Sequence, residues 1–123
     1  MDTAHKTILI ADDDRDIVEA LSAILNFSGY DVLQVYDGTS VLDAVKGQPH
    51  LVLLDLAMPG HDGAAVCKQL KRQASTQYIP VILVSAEMDL AEIAKQCGAD
   101  DFLEKPFDMD VLQEKISALL NSV

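Results

Sequence analysis

The 123-residue chain carries 20 acidic and 9 basic residues, a formal charge of −11, which repels a phosphate backbone and argues against direct nucleic acid binding by this chain. One domain spanning residues 1–123 is expected at this length, able to bury about two-thirds of its unfolded surface without a disulfide. No apolar run reaches the roughly 18 residues of a membrane span, and the first ten residues lack the basic-then-apolar pattern of a signal peptide, so a cytoplasmic location with no membrane contact is expected.

The first apolar run, residues 7–11, stops at Asp12-Asp13-Asp14, as a buried strand does when its carboxyl end leaves the core. Over residues 15–28 the period changes to that of a helix. Ile17, Leu21, Ile24, Leu25 and Ser28 share one predicted face, Asp14 caps its start and Gly29 ends it. Residues 31–36 read as a second strand, and Val41, Ala44 and Val45 mark a short helix that closes at Gly47.

Leu51-Val52-Leu53-Leu54-Asp55 is the signature of a strand covered on both faces, with a carboxylate at its end. Pro59-Gly60 and Gly63 turn the chain into a third helix carrying Val66, Cys67 and Leu70 on its apolar face. A fourth strand covers residues 79–84 and ends at Ser85. Leu90, Ile93, Ala94 and Cys97 form a fourth helix that stops at Gly98. Residues 101–104 make a fifth strand, ended by Lys105-Pro106. Asp108 caps a last helix through Leu112, Ile116 and Leu119.

Five strand-helix units in succession predict an α/β fold: a doubly wound, five-stranded parallel sheet of flavodoxin-like order 2-1-3-4-5 with five helices. Ligands in such sheets bind beyond the carboxyl ends of the strands, between the first and the third. Asp12, Asp13 and Asp55 meet there, joined by Ser85 and Lys105. Two like charges ~4 Å apart repel by roughly 4 kcal/mol at an effective dielectric of about 20, so one lysine does not offset three carboxylates. A divalent cation does. Oxygen-only donors favour Mg2+, with Mn2+ as a substitute, over Zn2+. A carboxylate, a hard metal, a hydroxyl and an ammonium around one crevice suit phosphoryl transfer, with Asp55 as nucleophile.

Residues 8–13, 51–63, 81–86 and 101–107, in that order, resemble the receiver domain of bacterial two-component response regulators, and the resemblance covers essentially the whole chain. It implies a signalling switch that catalyses only its own phosphorylation and dephosphorylation. Asp55 would accept a phosphoryl group from a phosphohistidine. Asp13, Asp55 and the backbone carbonyl of Ala57 would bind Mg2+, and Asp12 would hold metal-bound water.

Ser85 and Lys105 would contact phosphoryl oxygens. Phe102 falls at the family's switching aromatic, and Lys105-Pro106 at its cis peptide. The implied partners are a sensor histidine kinase or histidine phosphotransfer protein upstream, and a protein target or appended output domain downstream. The chain would be a monomer or a phosphorylation-dependent dimer. It would report through the fourth helix, fifth strand and fifth helix.

The bland readings are a strand-end carboxylate for Asp55, a helix cap for Asp14, a cap of the fourth helix for Ser85, a solvated lysine for Lys105 and plain core for Phe102. His5, His50 and His61 read as surface residues; Met58, Cys67 and Cys97 as packing, with both thiols reduced. A degenerate receiver, acting as a constitutive interaction module, is the rival function, although no acid or lysine is missing. A metal-dependent phosphatase would want a second acid two positions after Asp55, where Ala57 stands. A flavin carrier would need a phosphate-cradling loop where the three aspartates lie. The chain is either a complete single-domain regulator or the receiver of a longer protein.

Overall fold

The computed structural model describes residues 6–58 and 61–121; the expected Pro59-Gly60 turn and His5 lie outside them, as does the side chain of His61. The strands are β1 (Thr7–Ala11), β2 (Asp31–Val35), β3 (Leu51–Asp55), β4 (Val81–Ser85) and β5 (Asp101–Glu104). The helices are α1 (Arg15–Phe27), α2 (Gly38–Ala44), α3 (Gly63–Arg72), α4 (Leu90–Cys97) and α5 (Met109–Leu120), with a 3-10 turn over Val45–Gly47. The main sheet is parallel throughout, in the order β2-β1-β3-β4-β5. This is the predicted flavodoxin-like topology.

Both faces of the sheet are covered, which is why β3 and β4 are buried at every position. Val52 and Leu54 pack into the layer under α2, α3 and α4 with Leu9, Cys67, Leu83 and Ala94. Leu51 and Leu53 point the other way, into the layer under α1 and α5 with Leu25, Leu112 and Ile116. Each such leucine or isoleucine contributes on the order of 1.5–3 kcal/mol through burial. Truncating Leu53 or Leu54 to alanine would cost more than that, because the sheet cannot collapse into the void.

Local chemistry sets the helix ends. Asp14 accepts from the amides of Asp16 and Ile17 at the start of α1, Asp62 from Ala64 at α3, and Asp108 from Asp110 at α5. Gly29 and Gly98 follow α1 and α4 at φ 101° and 81°, the left-handed geometry that glycine takes without strain. Two expectations need correction. The buried face of α1 is Val18, Leu21, Ser22 and Leu25, whereas Ile24 is 37% exposed and Ser28 only half-buried. The loop after β3 also contains a two-residue antiparallel ladder, Ala57–Met58 against His61–Asp62.

Gly63 does more than turn the chain. A Cβ at this position would lie 2.6 Å from the Asp55 carbonyl oxygen and 2.6 Å from the Leu56 Cα. The Gly63 amide donates to the Leu56 carbonyl at 3.1 Å. The start of α3 is thus pressed against the backbone that leaves β3, a contact only glycine permits.

Candidate functional site

Four strand ends meet in one cleft of about 490 Å³, lined by Asp12, Asp13, Asp55, Ala57, Ser85 and Lys105 among others. Asp12 follows β1, Asp55 closes β3 and Ser85 closes β4, and all three are buried. Lys105 follows β5, and its backbone amide donates to the Ser85 carbonyl at 2.9 Å. Asp13 is exposed at the mouth.

The Lys105 ammonium lies 3.0 Å from Asp12 Oδ2 and 3.6 Å from Asp55 Oδ1. The other oxygen of Asp12 accepts from the Asp14 amide at 3.0 Å, and Asp55 Oδ1 accepts from the Ala57 amide at 3.4 Å. Burial raises the Asp55 carboxyl from 3.8 to about 6, with the Asp12 carboxylate adding to the rise; Lys105 and the Ala57 amide pull against it. Lys105 is raised. Its burial acts in the opposite direction, but its hydrogen bond to Asp12 and the charges of Asp55 and Asp12 together outweigh that loss of water.

Asp12, Asp13 and Asp55 each offer a carboxylate oxygen, and the three atoms lie within 4.8 Å of one another. The donor set fits a small hard cation: all donors are oxygen, and Lys105 brings one positive charge against three negative ones. Ala57 stands on the cleft wall. The triad can therefore hold a divalent metal.

Ser85 Oγ accepts from the Glu87 amide at 3.0 Å, in a short turn ahead of α4. The N-cap position of that helix belongs to Asp89, whose side chain makes no capping bond, so Ser85 is not the cap. Phe102 is half-buried on the edge strand β5, against the layer under α4, and does not line the cleft. The Lys105–Pro106 peptide bond is cis.

Glu87 and Met88 also line the cleft, and Met88 is 98% exposed. Sequence reasoning passed over both, although Glu87 lies only two residues beyond Ser85. His50 is exposed, and its Nδ1 accepts from the Thr7 amide at 2.9 Å, far from the acids. Cys67 and Cys97 are buried free thiols. Burial, then the neighbouring Cys97 thiol, pushes Cys67 above the usual thiol range, as expected of packing residues. No helix among the described residues is long and apolar enough to cross a membrane.

The family model described as the response regulator receiver domain matches residues 8–117. The chain is 37% identical over 123 residues to the DNA-binding response regulator MtrA of Mycobacterium tuberculosis, covering 98% of this chain and 53% of that protein. It is 41% identical over 116 residues to the DNA-binding dual master transcriptional regulator RpaA of Synechocystis sp., covering 92% of this chain and 48% of that protein. It therefore spans about half the length of these curated relatives. Among solved structures, the signal receiver domain of a signal transduction histidine kinase from Syntrophus aciditrophicus superposes with a TM-score of 0.89 at 36% identity, covering 96% of this chain and 92% of that one. A putative response regulator from Chloroflexus aurantiacus gives 0.88 at 30% identity, with coverage of 95% and 98%.

Proposed function

The chain belongs to the response regulator receiver domain family, a signalling module rather than a conventional enzyme, and from that premise we propose that it is a phosphoacceptor switch with Asp55 as the acceptor. The observation that carries this reading is convergence. Asp12, Asp13, Asp55, Ser85 and Lys105 come from distant parts of the chain and line one cleft, with the Lys105 ammonium 3.6 Å from Asp55.

In the proposed reaction an oxygen of the Asp55 carboxylate attacks the phosphorus of a phosphohistidine. The phosphorus–nitrogen bond breaks, its electron pair and a proton go to the imidazole, and Asp55 becomes an acyl phosphate. Asp12, Asp13, Asp55 and the Ala57 carbonyl would hold Mg2+, or Mn2+ in its place. When bound, the metal supplies positive charge against the phosphoryl oxygens. Burial keeps bulk water from Asp55, and the Lys105 ammonium moves from the carboxylates to a phosphoryl oxygen. The Ser85 hydroxyl, which accepts from Glu87, keeps its own proton to donate to a second one. Hydrolysis of the acyl phosphate returns the chain to its starting state, so the only reactions it catalyses are its own.

A hydrogen bond to a charged group contributes roughly 1.5–3 kcal/mol, enough to shift a two-state balance about ten- to hundred-fold. Drawing Ser85 and Lys105 inward in this way favours a conformer with Phe102 buried, and changes the face formed by α4, β5 and α5. Phe102 has no hydroxyl, so its part in switching is burial alone. A cytoplasmic histidine kinase or phosphotransfer protein is the upstream partner. The downstream partner is a protein target or an output domain; any DNA contact would belong to such a domain, because this chain's charge of −11 opposes one.

The test is transfer of labelled phosphate from a phosphorylated histidine kinase in the presence of Mg2+. Wild type should acquire one acid-stable, base-labile label per chain, and Asp55→Asn none. Labelling of that variant at the wild-type stoichiometry would refute the assignment.

A further inference from the structure

Lys115, on α5, reaches the edge strand β5 at the aromatic assigned to switching. Its ammonium lies 3.0 Å from Asp101 Oδ1 and 5.9 Å from the centroid of the Phe102 ring. The same Asp101 oxygen accepts from the backbone amide of Phe102 at 2.8 Å. One carboxylate oxygen thus ties the cation above the ring to the backbone that bears the ring. Both Lys115 and Asp101 are less than a third exposed, so water screens the arrangement only in part.

We propose that Lys115 is a positioning residue that sets the resting balance of the switch: pinned by Asp101, its charge holds Phe102 at the rim of the β5–α5 groove and opposes its inward movement. This rests on the reading of Phe102 as the moving aromatic. The groove beside the ring is about 350 Å³ and is lined by Phe102, Phe107, Val111 and Lys115 among others. Phe102 therefore has apolar surface and a cation on its outer side, and the apolar layer under α4 on its inner side. Phe102 cannot use a hydroxyl to favour either place. The ammonium over its π-face supplies that bias, since a cation within about 6 Å of a ring centroid is attracted to it.

The effect should be modest. Attraction at a partly exposed site corresponds to about a two- to five-fold change in the balance, and an inward ring loses it. Lys115→Met keeps the apolar stem but removes the charge. It should therefore raise the inward population of the unmodified protein and tighten binding of the phosphoryl mimic beryllium trifluoride, with Mg2+ present, by about two- to five-fold. Lys115→Arg should restore the wild-type affinity. In a Phe102→Leu background Lys115→Met should change nothing, because no ring remains to be held.

Calorimetry of beryllium trifluoride binding and the NMR signals of the Phe102 ring give two separate readouts, and thermal melts establish that each variant is folded. Unchanged or weaker binding in Lys115→Met, with the Phe102 ring signals unshifted, would overturn the Lys115 assignment while leaving the acceptor reading intact. Failure of the folded wild type to bind the mimic at all would overturn both.

Discussion

The Lys105 ammonium is nearer to Asp12, at 3.0 Å, than to Asp55, at 3.6 Å. The lysine is shared between two buried acids. Burial, with the Asp12 carboxylate adding to it, raises the Asp55 carboxyl to about 6, and the shared lysine offsets only part of that rise.

Asp55→Asn should stabilise the metal-free protein at neutral pH. The folded value of about 6 lies above the unfolded 3.8, so the folded state holds this proton more tightly. Its contribution to stability is complete below 3.8 and lost as pH rises through 6. At pH 7 the wild type therefore carries a charge that folding disfavours. Removing it should add about 1–3 kcal/mol, measured by urea unfolding in EDTA, and the gain should vanish at pH 4.

Lys105→Met should act in the opposite direction. Without its cation, Asp12 and Asp55 face one another unpaired, and stability at pH 7 in EDTA should fall by about 1–3 kcal/mol. Mg2+ should recover most of the loss, and acidification below pH 6 part of it. A variant as stable as wild type in EDTA would show that the lysine does not offset the acids.

Mg2+ should raise the melting temperature in a saturable way, as a ligand specific to the folded state does. Asp13→Asn should weaken that response at least tenfold in midpoint. Because the proton on Asp55 competes with the metal, affinity should also fall about tenfold per pH unit below 6. A pH-independent midpoint between 5 and 7 would contradict this.

Gly63→Ala should destabilise the fold by about 1–3 kcal/mol despite alanine's better helix propensity. The added methyl meets backbone atoms at 2.6 Å on both Asp55 and Leu56, and backbone cannot swing aside as a side chain does. Phosphotransfer to the variant should slow, because the displaced segment carries Asp55. Chemical unfolding and the labelling rate check the two effects separately.

The sequence was most legible where chemistry and topology coincide. Apolar runs that stop at Asp12, Asp55 and Ser85 declare both the strands and the edge at which they meet, since an uncompensated polar group is costly among apolar side chains and marks where the strand leaves them. It was least legible where a contact is made across the fold. The buried face of α1 runs through Val18 and Ser22 rather than Ile24, and Ser22 accepts a hydrogen bond from Gln34 on β2, a partner no periodicity reveals. Lys71, in the last turn of α3, donates to the Gln77 and Ile79 carbonyls and pairs with Asp100 at 2.7 Å. That clasp joins the loops before β4 and β5. The reach of Lys115 across β5 is of the same kind.

The two-sided burial of β3 has a consequence for how Asp55 is aligned. With leucine or valine at four successive positions, a slip by one residue would trade one greasy layer for another at little hydrophobic expense, unlike the usual half-wet strand. Alignment must therefore be fastened at the termini of the segment. At one terminus the His50 amide donates to the Thr7 carbonyl at 2.8 Å; at the other, Gly63 abuts the carbonyl of Asp55. Inserting or deleting a single aliphatic residue between them should yield a folded protein whose Asp55 carboxylate faces the wrong side of the sheet.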